Sequence, residues 1–198
     1  MPLKTRLTRR KALLAPLMPV LGAGLAWAAR SANAQEQNDS RTLVAFLSRS
    51  GNTRVIAGQL RRRYRSDLFE IRTAAPYPED YQEMVEWASR LRDVQAAPEL
   101  ADNVADIARY ETIFLGFPIW GAALPAPVRT FLKIHDLSGK KIVPFITHGG
   151  YGPGSAPSTL AALAPRARIL KPFVLKCDQE RDTLSPVSAW LRAAKGEL

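Results

Sequence analysis

The chain has 198 residues, with 28 Lys and Arg against 18 Asp and Glu and a formal net charge of +10. Six of the basic residues (Lys4, Arg6, Arg9, Arg10, Lys11 and Arg30) and none of the acids lie in the first 34 positions, so the remaining 164 residues carry only +4. So even a balance excludes a nucleic-acid footprint, a single cysteine excludes an internal disulfide, and the length suits one domain with its own core.

Residues 1–34 read as a secretory signal: a basic head, an uncharged stretch from Ala12 to Ala29, and a small-residue exit at Ala32-Asn33-Ala34. Arg9-Arg10, within Thr8-Arg9-Arg10-Lys11-Ala12-Leu13-Leu14, resembles the twin-arginine export signal of bacteria, which predicts a periplasmic location. The apolar stretch is near the lower length limit for a span and holds Pro16, Pro19, Gly22 and Gly24, so no stable membrane span is expected once the signal is removed. Gln35 to Arg41 is a polar, flexible lead-in, and 42–198 is expected to form the folded domain.

Leu43-Val44-Ala45-Phe46-Leu47 is a continuous apolar run that suits a strand buried on both faces. From Thr53 the spacing turns helical, with Val55, Ile56, Leu60 and Tyr64 recurring every three to four residues. The basic run Arg61-Arg62-Arg63-Tyr64-Arg65 falls at the end of that helix, where cations complement the dipole. Asp67–Arg72 reads as a second strand, and Asp80–Val94 as a helix with Met84, Trp87 and Leu91 on one face. Glu111–Phe117 is a third strand followed by a helix over Ala126–Lys133, and Lys141–Thr147 a fourth followed by a helix over Ser155–Leu163. Arg168–Val174 is a fifth strand and Pro186–Lys195 a closing helix. Cys177 is expected in the core or at a strand end, and His135 on the surface near a helix end. Strands alternating with helices predict an α/β domain built on a five-stranded parallel sheet with helices on both faces.

In such sheets ligands bind outside the carboxyl ends of the strands, where the strand order reverses. Three loops at those ends stand out: Ser48–Thr53, Pro118–Leu124 and Thr147–Gly154. In the first, hydroxyls at Ser48, Ser50 and Thr53 can donate to phosphate oxygens, and Gly51 permits a tight turn ahead of the free N–H groups of a helix start. Neither a P-loop nor a Gly-x-Gly-x-x-Gly fingerprint follows the first strand, which disfavours an NTPase and a dinucleotide fold. Alone, the loop reads either as an anion site or as a Ser/Gly turn with a helix cap.

Ser48-Arg49-Ser50-Gly51-Asn52-Thr53 resembles the phosphate loop of flavodoxins, a Ser/Thr-x-Ser/Thr-Gly-x-Thr hexapeptide. Tyr77-Pro78-Glu79-Asp80-Tyr81, Ile113 to Trp120, Pro125 to Leu132 and Thr147-His148-Gly149-Gly150 are similar to signature stretches of a bacterial flavodoxin-like family, in order and across nearly all of 42–195. The resemblance implies the 2-1-3-4-5 strand order and noncovalent FMN. Its phosphate is expected on Ser48, Arg49, Ser50, Gly51, Asn52 and Thr53. The isoalloxazine ring is expected between Pro118, Ile119, Trp120 and Gly121 on one side and Thr147, His148, Gly149 and Gly150 on the other.

Trp120 reads either as a flat surface for ring stacking or as a core residue, and Thr147 to Gly150 offer donors to the flavin's pyrimidine edge, with His148 either touching the flavin or only orienting the loop. The family often has two consecutive tryptophans here, whereas this chain has Gly121 in second place. The chemistry resides in the flavin, so no catalytic acid, base or nucleophile and no metal ligand is expected from the protein. The function implied is an FMN-dependent oxidoreductase or redox protein exchanging electrons with a quinone, a nicotinamide cofactor or a redox protein. The alternatives are a flavodoxin-type carrier for a protein partner, and a flavin-free interaction protein. Typical flavodoxins are strongly acidic around the flavin, and this chain is mildly basic. Twin-arginine export moves folded proteins, which suits a cofactor loaded in the cytoplasm.

Overall fold

The computed structural model describes residues 40–177 and 184–193. The expected signal at 1–34, most of the lead-in at 35–41 and the last residues of the closing helix lie outside them.

The apolar runs form strands β1 (Thr42–Phe46), β2 (Asp67–Glu70), β3 (Thr112–Pro118) and β4 (Lys141–His148). They pair in parallel in the order β2-β1-β3-β4. β1, β3 and β4 are buried almost end to end, which is why their sequences show no polar alternation. Among the described residues five α-helices cover the faces: α1 (Asn52–Tyr64), α2 (Tyr81–Asp93), α3 (Ala126–Ile134), α4 (Ala156–Leu163) and α5 (Leu184–Ala193). Leu43 and Ala45 of β1 point to one side, with Ile113, Leu115, Val128 and Phe131 of α3, and Leu160 of α4. Val44 and Phe46 point to the other, with Ile56 and Leu60 of α1 and Val187 and Leu191 of α5. This is the predicted doubly covered sheet.

The fifth strand differs from expectation, and among the described residues the sheet has six strands. Arg168–Val174 is divided into β5 (Arg168–Ile169) and β6 (Phe173–Lys176), both parallel to β4. Ile142 pairs with Ile169 but Phe145 with Phe173, so the outer chain carries one extra residue, a bulge. Two prolines explain the break. The carbonyls of Ile142 and His148 accept the N–H groups of Leu170 (2.8 Å) and Cys177 (3.0 Å), so even-numbered β4 residues face the fifth position. Pro144 therefore has no N–H where the ladder needs one, and Pro172 lacks its own in the opposite chain. The result carries β6 on to the carboxyl edge beside the end of β4.

Gly116 of β3 is set by close packing. A Cβ there would lie 2.0 Å from the ring of Phe145, its register partner on β4. Gly116→Ala is expected to cost about 2 kcal/mol through overpacking, seen as a lower urea midpoint with an unchanged slope. A parental midpoint would contradict this packing.

Candidate functional site

Three loops converge at the carboxyl edge of the sheet. Leaving β1, Leu47 donates its N–H to the Gly116 carbonyl at 2.8 Å. The chain then turns through Gly51 (φ +96°), a conformation that glycine adopts without steric cost. The Ser48 hydroxyl accepts the Arg54 N–H at 3.3 Å and so fastens the loop to α1. Among the described residues, the N–H groups of Ser50, Gly51, Asn52 and Thr53 meet no protein acceptor, and the first turn of α1 contains no acid. Unpaired donors on the positive end of a helix dipole favour an anion. Arg49 reaches the Glu79 carbonyl at 2.9 Å, drawing in the segment ahead of α2. Asp80 caps that helix by accepting the Glu83 N–H at 3.0 Å, which puts Tyr81 on its first turn.

The loops after β3 and β4 are tied to the first and to each other. The buried hydroxyls of Thr53 and Thr147 lie 2.9 Å apart. One proton serves that bond, so whichever hydroxyl accepts it keeps its own proton to donate elsewhere. Ile119 donates its N–H to the Thr147 carbonyl at 2.8 Å, and the Ser155 N–H and hydroxyl both reach the Ala122 carbonyl, at 3.0 and 3.3 Å. His148 accepts two N–H groups on Nδ1, from Gly150 (3.0 Å) and Gly152 (3.1 Å). The Gly150 N–H, expected to face a ligand, is thus already used.

Trp120 and Ala123 bond reciprocally across a two-residue turn with positive φ at Gly121 (+56°) and Ala122 (+60°). A Cβ at Gly121 would lie 2.1 Å from Nη1 of Arg92. The Arg92 guanidinium therefore occupies the space that a second tryptophan would need. Trp120 itself packs edge-on against Tyr77 (5.7 Å between centroids) and Trp87 (6.3 Å), which contact each other at 5.4 Å.

Between the loops lies a cleft of about 250 Å³. It is lined by Arg49, Ser50, Asn52 and Thr53, by Pro118, Ile119 and Trp120, and by Thr147, His148 and Gly149. Ser48, Gly51, Gly121 and Gly150 shape these loops without lining the cleft. Two lining residues escaped the sequence reading, Tyr81 at the start of α2 and Cys177 just beyond β6. The opening of the fifth strand onto the same edge was the available signal for Cys177. Among the described residues no group of His, Cys, Asp and Glu could hold a metal, and no helix is long and apolar enough to cross a membrane.

His135, expected on the surface, is buried. The segment around Val104 folds over it: Nε2 accepts the Val104 N–H at 3.1 Å, leaving Nδ1–H to donate to the Phe131 carbonyl at 2.9 Å. Burial pushes its pKa below the ordinary 6.5. The unfolded chain takes up this proton more readily than the fold, so the stabilisation by neutral His135 is complete above about pH 6.5 and falls as the pH drops below it. His135→Gln is expected to flatten the decline in stability between about pH 7 and about pH 5. Identical pH slopes for parent and variant would contradict this.

A 2-1-3-4-5 parallel sheet covered on both faces, with ligand loops at its carboxyl edge, is a flavodoxin-type fold. Similar solved structures include inferred flavoproteins from Bacteroides eggerthii DSM 20697 (29% identity, 77% of this chain and 96% of that chain, TM-score 0.64) and Bacteroides uniformis ATCC 8492 (28%, 76% and 97%, 0.66). A flavoprotein from Lactobacillus acidophilus NCFM, crystallised in complex with FMN, shares the fold (22%, 73% and 97%, 0.59). The search of curated proteins found no match. The flavodoxin family model matches residues 41–193, and the chain belongs to that family. FMN is the cofactor that goes with it.

Proposed function

We propose that this chain is an exported flavoprotein that holds FMN in the three-loop cleft and passes electrons between a donor and a small-molecule acceptor. One observation carries the reading: unpaired N–H donors at the start of α1 share a cleft with an aromatic wall and the polar end of β4. The N–H groups of Ser50 to Thr53, the Ser50 hydroxyl and the free proton of the Thr53–Thr147 pair would hold the phosphate. Trp120, braced by Tyr77 and Trp87, would hold the ring, with Thr147, His148 and Gly149 at its polar edge. Bound FMN supplies the one- and two-electron chemistry. The protein binds, orients and shields it from water.

The charge on the cleft favours a small acceptor over a carrier role. Among the described residues Arg49 lines it and no carboxylate does, a lining that stabilises negative charge gained on reduction. The decisive assay is steady-state turnover of the FMN-loaded protein with NADH or NADPH and a panel of quinones. Sustained turnover is expected, whereas a fully loaded protein that turns over no pair would be a carrier for a protein partner. For export, replacing both Arg9 and Arg10 by lysine is expected to hold the precursor in the cytoplasm, as judged by fractionation. Normal export of that variant would contradict the route.

A further inference from the structure

We propose that His148 is the positioning residue that sets the glycine loop of the flavin site, and that protonating it releases the cofactor. The proposal rests on the FMN reading of the cleft and adds to it a control on binding.

His148 ends β4, and its backbone is held there by the bond from the Cys177 N–H. Its ring does a second task. Backbone N–H groups only donate, so an Nδ1 that receives two of them carries a lone pair and no proton. The neutral ring must then bear its hydrogen on Nε2. The loop that donates these bonds has little else to hold it. Gly149, Gly150 and Gly152 have no side chains to pack, and the intervening Tyr151 is 99% exposed. Its far end is anchored at Ser155, whose N–H and hydroxyl reach the Ala122 carbonyl.

Protonation reverses the logic. An imidazolium donates from both nitrogens and accepts at neither, so its Nδ1–H would oppose the two N–H groups it now receives. The loop must leave, and Gly149, which lines the cleft, leaves with it. Among the described residues, the ionisable groups that line the cleft with His148 are Arg49 after β1, Tyr81 on α2 and Cys177, and Lys176 is its register partner on β6. Acid therefore acts on the loop at the Nδ1 that receives both of its N–H groups.

The test has two arms. In flavin-free protein, the amide resonances of Gly150 and Gly152 are followed from about pH 8 to about pH 5, together with the His148 ring nitrogens. Both amides are expected to move with the ring titration, and the ring to be the Nε2–H form at high pH. Amides that ignore the titration, or an Nδ1–H ring, overturn the proposal whether or not FMN binds. In the second arm, FMN is titrated by fluorescence quenching. The parent is expected to lose affinity as the pH falls from about 8 to about 5. His148→Asn, whose amide oxygen accepts at every pH, is expected to bind FMN with a shallower profile than the parent, the remaining slope being that of the FMN phosphate. An equally steep profile in that variant overturns the proposal. Failure of the parent to bind FMN at high pH would instead count against the cofactor site, and the amide arm would still decide the role of His148.

Discussion

Arg129→Met is expected to destabilise the fold by about 3 kcal/mol, the largest loss foreseen for any single polar group here. Arg129 lies on α3 and is only 6% exposed, yet among the described residues no carboxylate bonds to it. Its guanidinium instead gathers the end of α2: Nη2 donates to the carbonyls of Leu91 (3.1 Å) and Ala96 (3.0 Å), and Nη1 to Oε1 of Gln95 (3.2 Å). Burial pulls its pKa below the ordinary value, and three acceptors at the negative end of a helix oppose that cost. Removing it leaves the Ala96 carbonyl without that donor and releases a turn in which Gln95 sits at φ +52°, a conformation unfavourable for a side chain.

The midpoint of thermal unfolding is expected to fall by roughly 6–12 °C. Arg129→Lys is expected to recover less than half of the loss, because one ammonium cannot reproduce the fork. The comparison is Arg90→Ala, where an exposed pair with Glu86 at 3.8 Å is worth less than about 0.5 kcal/mol. An Arg129→Met protein as stable as its parent would contradict the role given to this buried cation. Since α2 carries Tyr81 to the cleft and Trp87 to the back of Trp120, FMN affinity is expected to fall with stability.

Trp120→Ala is expected to weaken FMN binding by about thirtyfold, or about 2 kcal/mol. The flavin-free protein should lose about 2 kcal/mol as well, because the indole also packs on Tyr77 and Trp87. Trp120→Phe separates the two roles: it keeps a flat apolar ring and is expected to cost less than about fivefold in affinity. The readouts are fluorescence titration with FMN and urea unfolding without it. If Trp120→Ala binds FMN like the parent, the indole is a structural brace and not a wall of the cofactor site.

The contrast between these two residues shows what sequence can and cannot carry. β1, β3 and β4 were legible because strands buried on both faces must be continuous apolar runs, and Leu43–Leu47 and Ile113–Phe117 are such runs. The loops at their ends were legible for a related reason, since strand termini in a parallel sheet leave few places for a ligand. Long-range contacts were not. Nothing local to His135 announces the Val104 N–H that buries it, thirty-one residues away in the chain.

The break between β5 and β6 needed Pro144 and Pro172 to be placed opposite each other, which requires the register and not only the composition. Gly121 could be read as a departure from a familial tryptophan. That Arg92 fills the space depends on where α2 packs. Likewise, the Gly150 N–H looked available to a ligand until its bond to His148 Nδ1 was visible.

The most direct test is titration of the purified, flavin-free protein with FMN and, in parallel, with riboflavin, followed by visible absorption and flavin fluorescence. The three-loop cleft predicts uptake of about one FMN per chain, with riboflavin bound at least about a hundredfold more weakly because it lacks the phosphate that the start of α1 receives. A protein that stays colourless with both, or that binds both equally, would contradict a flavin held by its phosphate on Ser48–Thr53.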